Sequence, residues 1–106
     1  MSKFGYLFAK SDLIPAVVQD ADSRDVLMVG FVNEEALNKT VSTKTAWFYS
    51  RSRKRLWNKG ETSGNFLHIV KILTDCDDDT LLYIVNPSGP VCHTGARTCF
   101  PNEIEI

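Results

Sequence analysis

An acidic stretch with a cysteine inside it, TDCDDDT at positions 74–80, has the residue types of a metal site. Carboxylate oxygens suit Mg²⁺, whereas a thiolate suits Zn²⁺. In an extended chain Asp75, Asp77 and Asp79 would point to one side and Cys76 to the other. Carboxylates this close repel one another without a counter-ion. The pattern fits two metal ions, and a solvated acidic turn with a buried cysteine explains the aspartates equally well.

Two further cysteines, Cys92 and Cys99, bound the segment CHTGARTC. Three cysteines make a poor disulfide framework, and clustered cysteines in a reducing compartment more often bind metal or react. If the loop folds back, both sulfurs can meet one ion, with Cys76 as a third thiolate. Three protein ligands and one open position are typical of catalytic zinc. Each cysteine alone would more often be a small buried hydrophobe, but their His and Asp neighbours favour metal.

The segment YSRSRKRLWNKGETSGN, positions 49–65, interleaves arginine and lysine with hydroxyl residues. Guanidinium and hydroxyl groups bind phosphates, and Gly60 and Gly64 allow backbone N–H groups to approach an anion. The segment therefore predicts a phosphate-binding loop, with an exposed basic face as the alternative.

The two histidines have different surroundings in the sequence. His68 lies within an apolar strand pattern and is expected to be a hydrogen-bonded structural residue. His93 adjoins a candidate zinc ligand in a loop, which makes it a candidate acid or base.

Length and composition predict one domain over residues 1–106. A net charge of −1 argues against binding nucleic acid or membrane through bulk charge. No apolar run approaches the roughly 20 residues needed to span a bilayer. The first twelve residues lack the pattern of a cleavable leader, and we expect a cytoplasmic protein.

The elements that must position these residues predict an α+β fold, a small mostly-β domain with one main helix. Strands are predicted at 14–20 and 26–32, paired as a hairpin, and a helix follows at 33–42 with Asn33 as its N-cap. Ala36, Leu37 and Val41 should face the core. The remaining predictions are a strand at 45–50, a loop at 51–65, paired strands at 66–75 and 80–85, and a loop from 86 onward, with Trp47 and Trp57 as packing residues.

Five stretches, in this order, resemble the phosphoribosyl-AMP cyclohydrolase family of histidine biosynthesis over about residues 13–100: LIPAVVQD, LMVGFVNEEAL, FYSRSRKRLWNKGETSGN, DCDDD and GPVCHTGARTCF. The resemblance implies a hydrolase that opens the adenine ring of phosphoribosyl-AMP at its N1–C6 bond. It implies an intertwined homodimer that shares its zinc sites, with Cys76 from one chain and the other two cysteines from its partner. By position it implies Zn²⁺ on Cys76, Cys92 and Cys99, and Mg²⁺ on Asp75, Asp77 and Asp79.

The expected mechanism follows from these assignments. Zinc would lower the pKa of a bound water, and His93 would move the proton. Mg²⁺ would bind a substrate phosphate or steady Cys76. The two phosphates would be held by Arg51, Ser52, Arg53, Lys59 and Ser63. Some relatives carry a fused pyrophosphohydrolase domain, and we expect this chain, which ends soon after Phe100, to lack that activity.

Two alternatives remain at this stage. A small zinc module could bind nucleic acid and stack bases on Trp47, Phe48 and Tyr49, but the near-zero net charge and the lack of a clear fourth ligand argue against it. A cysteine hydrolase could use Cys92 and His93, although neighbours in an extended chain point apart. A chelator separates this hydrolase from a zinc enzyme.

Overall fold

The computed structural model describes residues 3–106, which form a short 3-10 helix, six strands and one α-helix. The 3-10 helix spans Gly5–Phe8. The strands and the helix follow in the order β1 (Ile14–Asp20), β2 (Val26–Val32), α1 (Glu34–Thr43), β3 (Trp47–Ser50), β4 (Arg55–Asn58), β5 (Leu67–Thr74) and β6 (Leu81–Pro87). The predicted α+β class, mostly strand with one helix, is confirmed. None of the described helices is long and apolar enough to cross a bilayer.

Four strands form the main sheet in the order β2–β1–β6–β5. The β1–β2 and β5–β6 pairs are antiparallel hairpins, whereas β1 and β6 run parallel at the centre. Strands β3 and β4 form a separate antiparallel hairpin. The predicted pairings of 14–20 with 26–32, and of the two strands that flank the acidic turn, are both confirmed.

The core lies between one face of the main sheet and a layer made of α1 and the β3–β4 hairpin. Alternate residues of the two central strands are buried on this face: Ile14, Ala16 and Val18 of β1, and Leu81, Tyr83 and Val85 of β6. Phe48 of β3 is also fully buried. Its ring centroid lies 5.1 Å from that of Trp57 and 6.1 Å from that of Tyr83. Aromatic pairs at these distances add to the burial of apolar surface.

The helix begins and ends for local reasons. Asn33 Oδ1 accepts a hydrogen bond of 2.8 Å from the backbone N–H of Ala36, as an N-cap should. Lys44 adopts a left-handed conformation with φ of 60° and ends the helix. The predicted helix is therefore confirmed to within one residue at each end.

One predicted core position of the helix is wrong. Val41 is 37% exposed, and the buried positions are Ala36, Leu37 and Thr40. Thr40 tolerates burial because its hydroxyl donates to the Ala36 carbonyl oxygen at 2.9 Å and accepts from the Trp47 backbone N–H at 2.9 Å. The hydroxyl thereby links the helix to β3.

The prediction of a continuous loop at 51–65 is also wrong. Residues Arg55–Asn58 form β4 and pair with β3, with Trp57 directly opposite Phe48. Leu56 and Trp57 pack against the core cluster. Two adjacent apolar residues thus suffice to fix a strand within a segment whose overall composition is that of a loop.

The second face of the main sheet carries a row of aliphatic side chains. The strand registers place Val29, Val17, Leu82 and Leu73 side by side across all four strands. The two outer members, Val29 and Leu73, are 45% and 42% exposed. This row alternates with the buried positions and therefore lies on the face away from the core.

Replacing Gly30 by alanine tests how closely the two layers pack. A Cβ at Gly30 would lie 2.4 Å from Cδ1 of Phe48, which cannot move away from its buried position without disturbing the core. We expect Gly30→Ala to lower the free energy of unfolding by about 1–3 kcal/mol. Urea denaturation measures the change. Gly5→Ala is the control, since its Cβ would meet its nearest atoms at 3.8 Å, and equal stability of the two variants would contradict the prediction.

Candidate active site

The acidic turn between β5 and β6 brings three carboxylates together. Oxygens of Asp75, Asp77 and Asp79 lie within 4.8 Å of one another. Asp75 Oδ1 accepts hydrogen bonds from the backbone N–H groups of Asp79, at 3.0 Å, and Thr80, at 3.1 Å. Asp78 adopts a left-handed φ of 58°. The grouping predicted for these aspartates is thus present, but a closed turn produces it and not the alternation of an extended strand.

The charges of the turn are partly offset. Hydrogen bonds, first that from the Asp79 N–H, lower the pKa of Asp75. The pKa of Asp77 is raised, first by its hydrogen bond with Asp75 and then by the neighbouring negative charges. Lys10 Nζ lies 3.6 Å from Asp77 Oδ2 and 3.4 Å from Asp79 Oδ2. Two oxygens bound to one Mg²⁺ are at most about 4.2 Å apart, so the three carboxylates, of which Asp75 and Asp77 are exposed and Asp79 is partly buried, fit Mg²⁺ after a small closing movement.

The loop after β6, residues 88–100, folds back on itself, which is the condition that the sequence analysis set for both sulfurs to meet one ion. The Cys92 N–H donates to the Ala96 carbonyl at 3.0 Å, and the Gly95 N–H donates to the Cys92 carbonyl at 3.0 Å. Gly95 has a φ of 91°, a conformation that glycine adopts without strain. We call this segment the thiol loop, because it carries Cys92 and Cys99, whose thiols are close enough for each to shift the pKa of the other.

The pKa values of the two thiols of this loop are shifted in opposite directions. The Thr94 hydroxyl donates to Cys92 Sγ at 3.1 Å, and this bond is the first cause of a lowered Cys92 pKa. Burial is the first cause of a raised Cys99 pKa, followed by the interaction with Cys92. Two soft sulfur donors on one loop fit Zn²⁺, which binds cysteine in the thiolate form.

Cys76 lies far from these two thiols within one chain. It belongs to the turn that precedes β6, whereas Cys92 follows the far end of that strand. The seven residues of β6 span about 20 Å at about 3.3 Å per residue. In the described range 3–106, the aspartate trio is the only group of three His, Cys, Asp or Glu side chains close enough to share an ion. A single chain therefore does not assemble the predicted three-thiolate set.

A cleft of about 720 Å³ lies between the thiol loop and a basic wall, which consists of the end of β3, the β3–β4 turn, β4 and the segment that follows β4 as far as Asn65. Six of the predicted site residues line it: Ser52, Arg53, Lys59, Ser63, Cys92 and His93. Asn65, which the sequence analysis did not single out, links the two walls by donating from Nδ2 to the Pro90 carbonyl at 3.3 Å. The volume is within the usual range for a small-molecule site. Its charged lining consists of Arg53, Arg55, Lys59 and Glu61, a balance that favours an anion.

Arg51 is directed elsewhere. Its guanidinium carbon lies 4.1 Å from the centroid of the Phe31 ring, a cation–π geometry. It lines a separate shallow groove with Tyr49 and Trp57. Ser52 borders both this groove and the main cleft. The structure thus separates Arg51 from Arg53, Lys59 and Ser63, which line only the main cleft.

The two histidines have different surroundings, as the sequence suggests, but the expected relative direction of Cys92 and His93 is wrong. His68 Nε2 is 2.9 Å from Ser88 Oγ, so this histidine is hydrogen-bonded, although it is exposed. His93 is exposed at the cleft, and its Nδ1 lies 4.0 Å from Cys92 Sγ. The expectation that these two neighbours point apart is wrong, because residues 92–95 form a turn and not an extended segment.

Arg97 and its partners form a contact that the sequence analysis missed. The Arg97 guanidinium binds Asp25 and, at 2.7 Å each, Asp20 Oδ2 and Ser23 Oγ. Asp20 is only 7% exposed. Hydrogen bonds from the backbone N–H groups of Asp22, the first cause, and Ser23 lower its pKa, and Arg97 lowers it further.

Together, the fold and the cleft define a small α+β protein with a site suited to an anionic small molecule, bordered by a thiol pair. The phosphoribosyl-AMP cyclohydrolase family model matches residues 28–101. A phosphoribosyl-AMP cyclohydrolase of Bacillus cereus is 54% identical over 92 residues, covering 87% of this chain and 91% of that protein. The chain therefore belongs to the phosphoribosyl-AMP cyclohydrolase family, as the sequence resemblance predicts.

Two further relatives differ in length, one being about as long as this chain and the other about twice as long. A phosphoribosyl-AMP cyclohydrolase of Nitrosopumilus maritimus is 52% identical over 99 residues, which are 92% of each chain. The histidine biosynthesis bifunctional protein HisIE of Bacteroides thetaiotaomicron is 57% identical over 93 residues. Those residues are 88% of this chain and 46% of the bifunctional protein, so the chain spans about half the length of such relatives.

The buried Asp20 carboxylate generates a pH-dependent prediction. Because its pKa is lower in the native state than in the unfolded chain, it stabilises the fold above about pH 4, and this contribution is lost as the pH falls through the native pKa. We expect Asp20→Asn to lower the free energy of unfolding by about 1–3 kcal/mol at pH 7, and by less at pH 3. Urea denaturation at one protein concentration measures both values.

The exposed Asp22 of the same turn provides the control, since Asp22→Asn should change stability little at either pH. A loss in Asp20→Asn that is equally large at pH 3 and pH 7 would contradict the electrostatic origin.

Proposed function

We propose that this chain hydrolyses phosphoribosyl-AMP by opening its adenine ring. The oxygen of a water molecule bonds to C6, the N1–C6 bond breaks, and N1 receives a proton, which leaves C6 as a carboxamide. The proposal rests chiefly on the cleft, where the cations of one wall face the thiol loop of the other. The family membership of the chain supports the same reaction.

The substrate phosphates would be held by the basic wall. Arg53, Lys59, Ser52 and Ser63 provide cations and hydroxyl groups along the cleft. Arg51 would contribute from the adjoining groove after leaving Phe31, or would keep that hairpin in place. Holding both phosphates fixes the ring relative to the thiol loop, and such positioning can lower a barrier by several kcal/mol.

The thiol loop would hold zinc through Cys92 and Cys99, with Cys76 as the third ligand. When bound, zinc supplies the Lewis acidity that brings the pKa of a water molecule towards neutrality. Three thiolates weaken that acidity, which leaves a role for a base. His93 has an exposed ring on the cleft and lies within 4.0 Å of Cys92. We assign it to proton transfer, from the water or to the departing nitrogen.

The aspartate trio would hold Mg²⁺. The three carboxylate oxygens are already grouped, and Lys10 is positioned where a cation is needed. Because Cys76 lies within the same turn, an ion there would either bind a substrate phosphate beside the zinc site or fix the direction of the cysteine.

A second copy of the chain would complete the site. Cys76 stands at the opposite end of β6 from Cys92, and the aliphatic row on the outer face of the sheet is partly exposed. If two copies pack through this face, each can offer Cys76 to the thiol loop of the other. Such a two-fold dimer would contain two equivalent sites. These features support the intertwined homodimer implied by the family.

Zinc removal tests the reaction and its metal dependence together. We expect purified protein to convert phosphoribosyl-AMP in a spectrophotometric assay, to lose this activity on chelation, and to regain it when zinc returns. Metal analysis should find that Cys92→Ser and Cys99→Ser have lost zinc. Turnover that survives complete metal removal would instead support a cysteine hydrolase with Cys92 and His93. Binding of nucleic acid without any turnover would support the zinc-module alternative.

Alanine substitution of His93 tests the proton-transfer role. We expect His93→Ala to reduce kcat by roughly 10²–10⁴-fold, the usual contribution of a general acid or base, without loss of zinc. His68→Ala is the matched control, because His68 bonds Ser88 outside the cleft lining. Steady-state kinetics and metal analysis on both variants make the comparison. Unchanged turnover in His93→Ala would remove this residue from the mechanism.

A further inference from the structure

Arg97 lies in the thiol loop, and its side chain reaches the turn between β1 and β2. Its guanidinium binds two carboxylates, those of Asp20 and Asp25, and the Ser23 hydroxyl. These partners are 72 to 77 positions away in the sequence. The contact therefore links a loop with no strand or helix of its own to a distant, ordered part of the fold.

The receiving turn is ordered by its own hydrogen bonds. Asp20 Oδ1 accepts from the backbone N–H groups of Asp22, at 2.8 Å, and Ser23, at 3.4 Å. The Asp20 N–H donates to the Asp25 carbonyl at 2.9 Å, and the Arg24 N–H donates to the Asp20 carbonyl at 3.0 Å. The guanidinium thus meets carboxylates that are already held in place.

Hydrogen bonds close to Arg97 and to the two cysteines fix the thiol loop further. The Thr98 hydroxyl donates to the Val26 carbonyl at 2.7 Å, and the Cys99 N–H donates to the Leu27 carbonyl at 2.7 Å. Val91, which precedes Cys92, donates from its N–H to the backbone carbonyl of Arg97 at 3.2 Å. Arg97 therefore stands where the Cys92 and Cys99 ends of the loop are joined to each other and to β2.

We propose that Arg97 is a positioning residue for zinc binding, which holds the Cys92–Cys99 pair in a ligating arrangement before the ion arrives. This inference rests on the proposed zinc site. Arg97 does not itself act as a ligand. It anchors the loop, so that less conformational entropy is lost when zinc binds. The fixed fork of a guanidinium can bind two carboxylates at once, which the single ammonium of lysine cannot reproduce.

Zinc affinity tests this role directly. Competition with a chromophoric chelator measures the zinc dissociation constant of the intact protein and of three variants: Arg97→Met, Arg97→Lys and Arg24→Met. We expect Arg97→Met to bind zinc about 10–100-fold more weakly, as is usual when a residue that orients metal ligands is lost. Arg97→Lys should recover only part of this loss. Arg24→Met is the control: it removes a positive charge from the β1–β2 turn that Arg97 contacts, but leaves the Arg97 side chain in place, and it should bind zinc normally.

Each result has a definite reading. An unchanged dissociation constant in Arg97→Met overturns the proposal. Full recovery in Arg97→Lys also overturns it, because charge near the thiols would then suffice without the fork. A lower unfolding midpoint with normal zinc affinity would assign Arg97 to stability alone. If the unsubstituted protein binds no zinc, the proposed function itself fails, and that outcome is visible before any variant is compared.

A milder substitution keeps the test open if Arg97→Met does not fold. Asp25 is 56% exposed, and Asp25→Asn removes one charged partner while the bond from Arg97 to the buried Asp20 remains. We expect an intermediate loss of zinc affinity in this folded variant. Normal affinity in Asp25→Asn, with Arg97→Met unfolded, would overturn the positioning role.

Discussion

Strand β6 lies at the centre of the main sheet, between β1 and β5, and its length separates the two parts of the thiol set. Its inward residues are among the most completely buried of the described chain, so the strand cannot bend to bring its ends together. The acidic turn stays at one end and the thiol loop at the other. If zinc binds all three cysteines, as we propose, Cys76 has to come from another chain, and this is the reason for proposing a dimer.

The rest of the site is arranged around the far end of the same strand. The β3–β4 hairpin, fixed to the core through Phe48 and Trp57, presents its basic residues to the cleft. The thiol loop forms the opposite wall. It is hydrogen-bonded to Asn65, in the segment between β4 and β5, and to the β1–β2 turn through Arg97. Chemistry-bearing residues on loops thus take their positions from buried aromatic rings and from one buried carboxylate.

Secondary structure could be predicted where residues close together in the sequence determine it. The β-branched runs at 14–20 and 26–32, and the cap at Asn33, gave elements whose bounds agree closely with the structure. Strand β4 was missed because only Leu56 and Trp57 are apolar within a basic segment, and their partner Phe48 lies on another strand. Thr40, and not the predicted Val41, is buried, because its hydroxyl bonds to the Ala36 carbonyl and the Trp47 N–H. The spacing of apolar residues in the sequence does not reveal these two bonds.

The candidate site likewise has a part that could be predicted from the sequence and a part that could not. The residue types of the acidic turn and of the thiol loop were sufficient to name the candidates, and the turns that group them were not foreseen in detail. Contacts across the fold could not be predicted from one sequence, as with Arg97 and Asp20 or Arg51 and Phe31. Such pairs depend on which surfaces the sheet brings together.

Mixing two inactive variants tests most directly whether the zinc site is shared between chains. In a shared site, Cys76→Ser and Cys92→Ser chains each form inactive homodimers, but a mixed dimer regains one intact site. Refolding equal amounts together should restore about one quarter of the normal activity, since about half of the dimers are mixed. A mixture of Cys92→Ser with Cys99→Ser should stay inactive, because both changes affect the same loop. Failure of the first mixture to regain activity, although mixed dimers form, would contradict the shared site.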